Sequence, residues 1–165
     1  MAGMSLTIAA HQYKSALHAA ALALWPQDSD EFGVFWGQAG PSVPDQWVEF
    51  HGSDNATEPA TMGSNRTAEE TLNLETHWFV QRWGDAKYTG PEAESYLFAR
   101  LGQLEQYVRV TNTTLAGLVD GFTVRQCRLA TYATDDAAMT RNNSAGRMAA
   151  AIAIFEAKVR LTITT

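Results

Sequence analysis

The segment AIAIFEAKVRLTI, residues 151–163, decides the fold class, because apolar side chains occupy every second position along it. Polar side chains occupy the even positions from Glu156 onward. A repeat of two places successive side chains on opposite faces of a strand, whereas helical side chains repeat about every 3.6 residues. The alternation therefore predicts a long strand with one buried face, although the alanines of the segment favour a helix. The apolar positions are Ala151, Ala153, Phe155, Ala157, Val159, Leu161 and Ile163.

Two other segments carry the helical repeat. The first runs from near Ser5 or Thr7 to Trp25, and Pro26 ends it because proline has no N–H and disfavours helix at the residue before it. The second opens at Gly90-Pro91, after a predicted turn over residues 84–89, since proline is tolerated at the first helical position. Apolar residues spaced by three and four predict one buried face on each helix. These residues are Ala9, Tyr13, Leu17, Ala20 and Leu24 in the first helix, and Ala93, Leu97, Leu101, Leu104 and Val108 in the second.

Further strands are predicted from aromatic and β-branched content over residues 32–37, 46–51, 68–83 and 122–133. Two polar stretches, residues 52–67 and 133–146, are predicted to be long exposed loops. Strands and helices do not alternate as βαβ units, so the sheet is expected to be mainly antiparallel. The sequence thus predicts a single α+β domain over residues 1–165, in which two helices pack on one face of a largely antiparallel sheet of about four to five strands.

Composition narrows the function classes. Hydrophobic residues make up 45% of the chain, which is enough for a sizeable core and excludes a disordered or fibrous protein. The formal net charge is −6, and residues 1–60 carry all of the acidic excess. That balance argues against a dedicated nucleic-acid binder and against a basic membrane-surface protein. Cys127 is the one cysteine, and no signal-like or membrane-spanning segment is evident, so we expect a soluble protein of a reducing cytoplasm.

No catalytic motif is evident, and we expect no enzymatic activity, no cofactor and no metal site. His11 and His18 are about two helical turns apart, but a metal would need a third ligand that the sequence does not place nearby. An acidic run at residues 28–33 lacks the later ligands of a calcium loop. His51 and His77 fall in predicted strands without a recognisable nucleophile. The tryptophans could stack on bases or sugars, but no basic residue is interleaved with the first three, so packing is the favoured interpretation.

Several stretches, taken in order, resemble one family. They are a Trp36-Gly37 turn after the first helix, the strand TLNLETHWFV at residues 71–80, the helix start PEAESYL at residues 91–97, and the closing stretch GRMAAAIAIFEAKVRL at residues 146–161. Together with a long polar loop before the strand, they resemble the tail terminator proteins of long, non-contractile-tailed bacteriophages. The rather long first helix and the tryptophans between residues 25 and 50 depart from that family.

The resemblance implies a structural role in the virion. Such proteins form a ring of six copies at the head-proximal end of the tail, where the ring stops polymerisation of the tube and joins it to the head-closure, or stopper, complex. The implied partners are further copies of the chain, the major tail tube protein, the head-closure protein and the tape measure protein. DNA passes through the lumen without sequence-specific binding, no membrane takes part, and assembly occurs in the cytoplasm of the bacterial host. Six copies would carry a charge of about −36, which would let DNA slide rather than bind.

Charged and amide side chains in the polar stretches are the candidate interface or lumen residues. We hypothesise that Asp28, Asp30 and Glu31 face the lumen or an adjoining ring. The whole candidate set is Asp28, Asp30, Glu31, Asp54, Asn55, Glu58, Asn65, Arg66, Asp135, Asp136, Arg141, Asn142 and Asn143. Two alternatives stay open at this point. One is another head–tail connector, tail-completion or tail tube protein, and the other is a small-molecule-binding or enzymatic α+β domain.

Overall fold

A five-stranded sheet with two helices on one of its faces forms the fold in the computed structural model, which describes residues 9–59, 67–116 and 122–162. In chain order the elements are α1 (Ala9–Leu24), β1 (Gly33–Trp36), β2 (Gln46–Pro59), β3 (Thr67–Trp83), α2 (Ala86–Gln106), a π-helical turn (Tyr107–Thr111), β4 (Phe122–Arg141) and β5 (Ser144–Thr162). Across the sheet the strands follow the order β1-β2-β3-β5-β4. β1 is parallel to β2, and the other three pairs are antiparallel. The predicted α+β class with a mainly antiparallel sheet is therefore confirmed.

The core lies between the helices and one face of the sheet. Tyr13 of α1 is fully buried, and its hydroxyl donates to the backbone oxygen of Phe155 on β5 at 2.9 Å. The predicted stripe of α2 and the turn that follows it is buried throughout. On α1 the predicted face is also buried, except that Leu24 is only partly covered and Ala21 joins the core instead. No helix in the described part of the chain is long and apolar enough to cross a membrane.

The alternation along β5 is confirmed. Its odd positions from Ala151 to Val159 are buried, whereas Leu161 and Ile163 lie outside the residues whose side chains are described. On β3 the even positions face the same core, because Leu74 lies directly across from Phe155. The buried residues of β3 are Leu72, Leu74, Thr76, Trp78 and Val80. The odd positions of β3 consequently lie on the opposite side of the sheet, which we call the open face.

α2 begins earlier than the sequence predicts, and the predicted turn over residues 84–89 is wrong from Ala86 onward. Asp85 is the N-cap residue, and its side chain accepts a hydrogen bond from the Lys87 amide at 3.0 Å. Such a carboxylate gives the first-turn N–H groups the partner that a helix cannot supply internally. The helix therefore opens at Ala86, and Pro91 lies inside it rather than at its start.

The predicted loop over residues 52–67 is also wrong for the part that the structure describes. Residues 52–59 belong to β2 and Thr67 opens β3, while residues 60–66 lie outside the description. Polar side chains bridge the two strands here, because Asn73 donates to Asp54 and Asn55 donates to Glu70. The pairing rests on backbone hydrogen bonds and these bridges rather than on apolar alternation. The absence of buried apolar residues thus made a strand look like a loop.

The second predicted loop, over residues 133–146, is replaced by a β-hairpin. β4 continues to Arg141, and β5 begins at Ser144, directly across from it. Asn142 and Asn143 form the turn between them with φ values of 48° and 63°. Asparagine tolerates this left-handed conformation, and two such residues in succession match the twist of a tight hairpin. The polar composition reflects exposure on both faces of the strands.

The strands are longer than the helices that cover them. β5 has 19 residues and spans about 60 Å. α1 and α2 have 16 and 21 residues and span about 24 and 32 Å. Residues 131–145 are consequently exposed, apart from the half-buried Met139. The sheet therefore presents uncovered strand surface beyond its core.

Candidate functional site

β4 is the outer strand at one edge of the sheet, with β5 as its neighbour. In a two-residue hairpin the residues that flank the turn, Arg141 and Ser144, bond to each other, so alternate residues of β4 direct their N–H groups away from β5. The Asp136 N–H fits this alternation, because it donates to the side chain of Asp135 at 2.8 Å. The outward positions in this half of β4 are Thr134, Asp136, Ala138 and Thr140. We call this outer side of the strand the β4 edge, and it is a template for pairing with another strand.

The opposite edge is formed by two strands. β1 covers only residues 47–50 of β2, so the later part of β2 has β3 on one side and no strand from the described residues on the other. Trp36, at the end of β1, is 46% exposed. The Lys14 ammonium lies 4.4 Å from the centre of its ring, and His18 packs edge-on at 5.4 Å. We call this side the β1–β2 edge.

Exposed aromatic side chains also border the β4 edge. Tyr132 on β4 is 53% exposed and Phe98 on α2 is 38% exposed. Their rings meet edge to face with centroids 5.6 Å apart. Aromatic residues are enriched at protein interfaces, where one ring buries a large apolar area. As far as the structure describes the chain, both edges of the sheet therefore combine unpaired strand with exposed aromatic surface.

The residues that the sequence predicts as interface or lumen residues fall in three separate places. The α1–β1 connection holds the first group and the β4–β5 hairpin the third, while Asn65 and Arg66 lie outside the described residues. The second group lies where residues 52–59 of β2 pair with residues 67–74 of β3, which we call the β2–β3 arm. The first group is Asp28, Asp30 and Glu31, all exposed. The second is Asp54 and Asn55, both exposed, and Glu58, whose side chain is not described. The third is Asp135, Asp136, Arg141, Asn142 and Asn143, all exposed.

The second and third groups lie at opposite ends of the sheet. Glu58 lies across from Glu69, which in turn lies across from Arg160 near the end of β5. Arg141 lies across from Ser144, the first residue of β5. Along β5 about 50 Å separate Glu58 from Arg141, and about 20 Å separate the nearest members, Asp54 and Asp135. These two groups consequently cannot contribute to one site within a single chain.

A histidine–glutamate cluster lies on the open face of the sheet. We define it as Glu49 and His51 on β2 with Glu75 and His77 on β3. His51 Nε2 donates to Glu49 Oε2 at 2.8 Å, and His77 Nε2 donates to Glu75 Oε1 at 2.6 Å, since carboxylates only accept. The two imidazole rings stack with centroids 4.0 Å apart and 29° between their planes. A β-bulge after Phe50 sets two residues of β2, His51 and Gly52, opposite one residue of β3, Glu75.

Glu49 is the most buried member of the cluster, at 7% exposure. Its second carboxylate oxygen, Oε1, accepts hydrogen bonds from the Ala39 amide and from Trp47 Nε1, both at 3.1 Å. Burial by itself raises the pKa of this carboxyl, but the hydrogen bonds from His51, Ala39 and Trp47 outweigh it and leave the pKa below its ordinary value. The side chain is therefore a fixed carboxylate at neutral pH.

Sequence reasoning missed this cluster, although a signal for it is present. Glu49-Phe50-His51 and Glu75-Thr76-His77 each place a carboxylate and an imidazole two residues apart, which is one face of a strand. Glu49 lies directly across from His77 in the sheet. A nucleophile was sought near each histidine, but the carboxylate two residues before it was not considered. Two such triplets on neighbouring strands would have indicated the cluster.

The other reactive groups noted in the sequence are a cysteine in the core and two histidines beside Trp36. Cys127 is buried, and burial raises the pKa of its thiol to about 12, so the group is protonated. Its sulfur lies 3.7 Å from the Tyr13 hydroxyl. His11 and His18 both pack edge-on against the ring of Trp36. Cys127 is therefore part of the hydrophobic core.

Comparison with known proteins finds a similar solved structure but no match among protein-family models or curated sequences. No protein-family model matches the sequence, and no curated protein matches it. Among solved structures, the chain is similar to one from the virion of a native gene transfer agent particle, with a TM-score of 0.57. The alignment covers 94% of this chain and 99% of the other, at 11% sequence identity. At that identity the likeness shows that the two chains share a fold.

Proposed function

We propose that the chain is a structural virion protein of the tail terminator kind. In this role, six copies form a ring at the head-proximal end of a phage-like tail, where the ring ends the tail tube and meets the head-closure complex. The likeness to a chain of a gene transfer agent virion supports the proposal, because it extends over nearly the whole of both chains. The resemblance of the sequence to tail terminators supports it independently.

The observation that carries the proposal is the pair of unlike sheet edges, to which no other strand of the described residues is joined. A ring needs a head-to-tail contact in which two different patches of each copy meet. The β4 edge and the β1–β2 edge are on opposite sides of the sheet, and each carries exposed aromatic surface through Tyr132 or Trp36. Joining one edge to the other would bury backbone groups that otherwise invite uncontrolled pairing. Such a contact closes into a ring if the rotation per copy is a simple fraction of a turn.

The distribution of acidic residues is the basis for assigning one surface of each copy to the lumen of the ring. Each copy contributes a net charge of −6, and the acidic excess lies in residues 1–60. We propose that Asp28, Asp30 and Glu31, which are exposed in the α1–β1 connection, face the lumen or an adjoining ring. A negative lumen repels the DNA backbone and lets the double helix slide. A density map of the assembled ring with all three carboxylates on its outer wall would overturn this assignment.

The partners follow from the position of the ring. Copies of the chain meet at the two sheet edges, and the tube protein and the head-closure protein meet opposite ends of the ring. The hairpin end at Asn142-Asn143 and the β2–β3 arm around Asp54 lie at opposite ends of the sheet, so they are suited to meet different neighbours. We propose these two regions as the contact regions toward tube and head side, and the tape measure protein as a further neighbour in the lumen.

The test is assembly measured by mass. One chain has a mass of 18.1 kDa, so a ring of six copies is expected at about 109 kDa, alone or with the tube protein. Addition of the chain to growing tubes should stop their elongation. Ala138→Pro should prevent ring formation, because it blocks strand addition at an outward N–H without removing a bond to β5. Ala138→Thr is the matched control, since threonine suits an exposed strand and keeps the N–H.

The outcomes separate this proposal from its alternatives. Continuous tubes made of the chain itself would indicate a tail tube protein. A ring that binds head components but leaves tube growth unaffected would indicate another connector. Particles that stay monomeric at every concentration and in the presence of tube protein would overturn the proposal. Equal assembly of the proline and threonine variants would remove the β4 edge from the interface.

A further inference from the structure

We propose that Glu49, His51 and His77 bind one divalent transition-metal ion, of which Zn²⁺ is the best match, on the open face of the sheet. The proposal is independent of ring formation, because all three residues belong to one chain. Each residue offers one donor atom, and the three donor atoms lie within 4.8 Å of one another. Among the described residues this is the place where three ligands of the metal-binding kind converge.

The donor set selects the class of ion. Two imidazole nitrogens and one carboxylate oxygen suit Zn²⁺ and its neighbours in the first transition row, whereas Ca²⁺ and Mg²⁺ prefer sites made of oxygen alone. Ligand atoms on a tetrahedral Zn²⁺ lie about 3.3 Å apart, because each bond to the metal is about 2.0–2.1 Å long. His51 Nε2 and Glu49 Oε2 are now 2.8 Å apart, as hydrogen-bonded partners. If these two atoms moved apart by a few tenths of an ångström, their distance would match that of two ligands on one Zn²⁺ ion.

The carboxylate ligand is held in place before any ion arrives. Oε1 of Glu49 is occupied by the Ala39 amide and the Trp47 indole, which leaves Oε2 directed at His51. The Trp47 ring stacks on Phe79 at 4.8 Å, so the indole that orients Glu49 is itself fixed. Groups that orient a metal ligand in this way commonly decide the affinity of a site.

Charge balance also favours a dication. Glu49 and Glu75 place two carboxylates beside the two imidazoles, and each carboxylate accepts a hydrogen bond from one ring. On binding, the ion takes the place of the hydrogens that the two Nε2 atoms now donate, so the rings coordinate as the tautomer with hydrogen on Nδ1. Glu75, which loses the hydrogen bond from His77, is then free to complete the shell or to leave a position for water.

The chain contains four histidines, and two of them lie outside the cluster, which supplies a matched control. The full chain, stripped with a chelator, is titrated with ZnCl2 by calorimetry and with CoCl2 by visible absorption. We expect one ion per chain and a Co²⁺ spectrum typical of nitrogen and oxygen ligands. His77→Gln and His51→Gln should each weaken binding by at least about tenfold. The double variant His11→Gln/His18→Gln should bind as the wild type does.

Glu49→Gln tests the carboxylate while sparing the fold, because the glutamine oxygen can still accept from the Ala39 amide and from Trp47. It should also weaken binding, with an unchanged far-UV circular dichroism spectrum. Absence of a saturable one-to-one event in the wild type would overturn the proposal. So would binding that persists unchanged in His77→Gln and His51→Gln, or that disappears in the double control variant. A correctly folded chain that binds no ion yet still forms rings would leave the proposed function intact.

Discussion

Replacement of Thr76 by valine tests whether one buried hydrogen-bond relay holds the middle of the sheet. Trp78 is 1% exposed, and its indole Nε1 donates to Thr76 Oγ1 at 2.8 Å. The Thr76 hydroxyl in turn donates to the backbone oxygen of Ala153 at 2.9 Å. Valine has nearly the same shape as threonine but lacks the hydroxyl, so the Trp78 N–H would be left buried without an acceptor.

A buried donor without a partner costs about 1–3 kcal/mol, and the slightly better strand preference of valine offsets little of it. We therefore expect Thr76→Val to lower the free energy of unfolding by about 2 kcal/mol. Thr76→Ser keeps the hydroxyl and loses one methyl group, which should cost about 1 kcal/mol. Because Thr76→Val already leaves the indole unpaired, Trp78→Phe should cost about 1–2 kcal/mol less in that background than in the wild type.

Urea unfolding followed by far-UV circular dichroism gives all four corners of this double-mutant cycle, since the five tryptophans make fluorescence difficult to assign. The measurement is repeated at two chain concentrations, so that self-association does not contribute to the apparent stability. A change below about 0.5 kcal/mol for Thr76→Val, or additive effects of the two substitutions, would refute the relay as a source of stability.

Three further predictions concern single residues. Gly146→Ala should destabilise the fold by about 1–3 kcal/mol in thermal or urea unfolding, because an added Cβ would lie 2.7 Å from a backbone oxygen of β3 and from a ring carbon of Trp83. Cys127 should resist alkylation by iodoacetamide in the native state and react after unfolding, because burial keeps the pKa of its thiol at about 12; rapid native labelling, followed by mass spectrometry, would contradict this. Burial, and to a lesser extent Lys14, lowers the pKa of His18, so folding favours its neutral form; stability should fall as pH drops below about 6.5, and His18→Gln should show less of that fall in urea titrations at several pH values.

The sequence was most informative where one face of an element meets the core. The stripe from Ala93 to Val108 and the alternation from Ala151 to Val159 were both predicted, because each element buries a single apolar face. It was least informative at the ends of the sheet. Around Asp54 and Asp136 both faces of a strand meet solvent, so the apolar alternation that marks a strand disappears.

Local capping and pairing explain the remaining differences. The start of α2 depends on the Asp85 carboxylate, whereas the sequence prediction placed the start at Pro91 and did not consider Asp85. The spacing marks Glu49 with His51 and Glu75 with His77 as two pairs, but their meeting in one cluster depends on which strands are neighbours, which the spacing within one strand does not give. The predicted interface residues whose side chains are described are all exposed, but their separation into distant groups required the strand register.

The pairing of β3 with β5 is slow to form and leaves the chain open to misassembly while it folds. It joins residues between 63 and 95 positions apart, from Trp83 with Gly146 to Thr67 with Thr162. Closing such long stretches of chain is slow, whereas the β4–β5 hairpin with its two-residue turn can form within about 1–10 μs. Newly made chains therefore contain a formed β4–β5 hairpin before β3 has paired with β5. In that interval the hairpin can pair with a neighbouring copy instead of its own chain. Refolding yield should accordingly decline as chain concentration rises, and dilute, slow synthesis should favour correctly closed monomers.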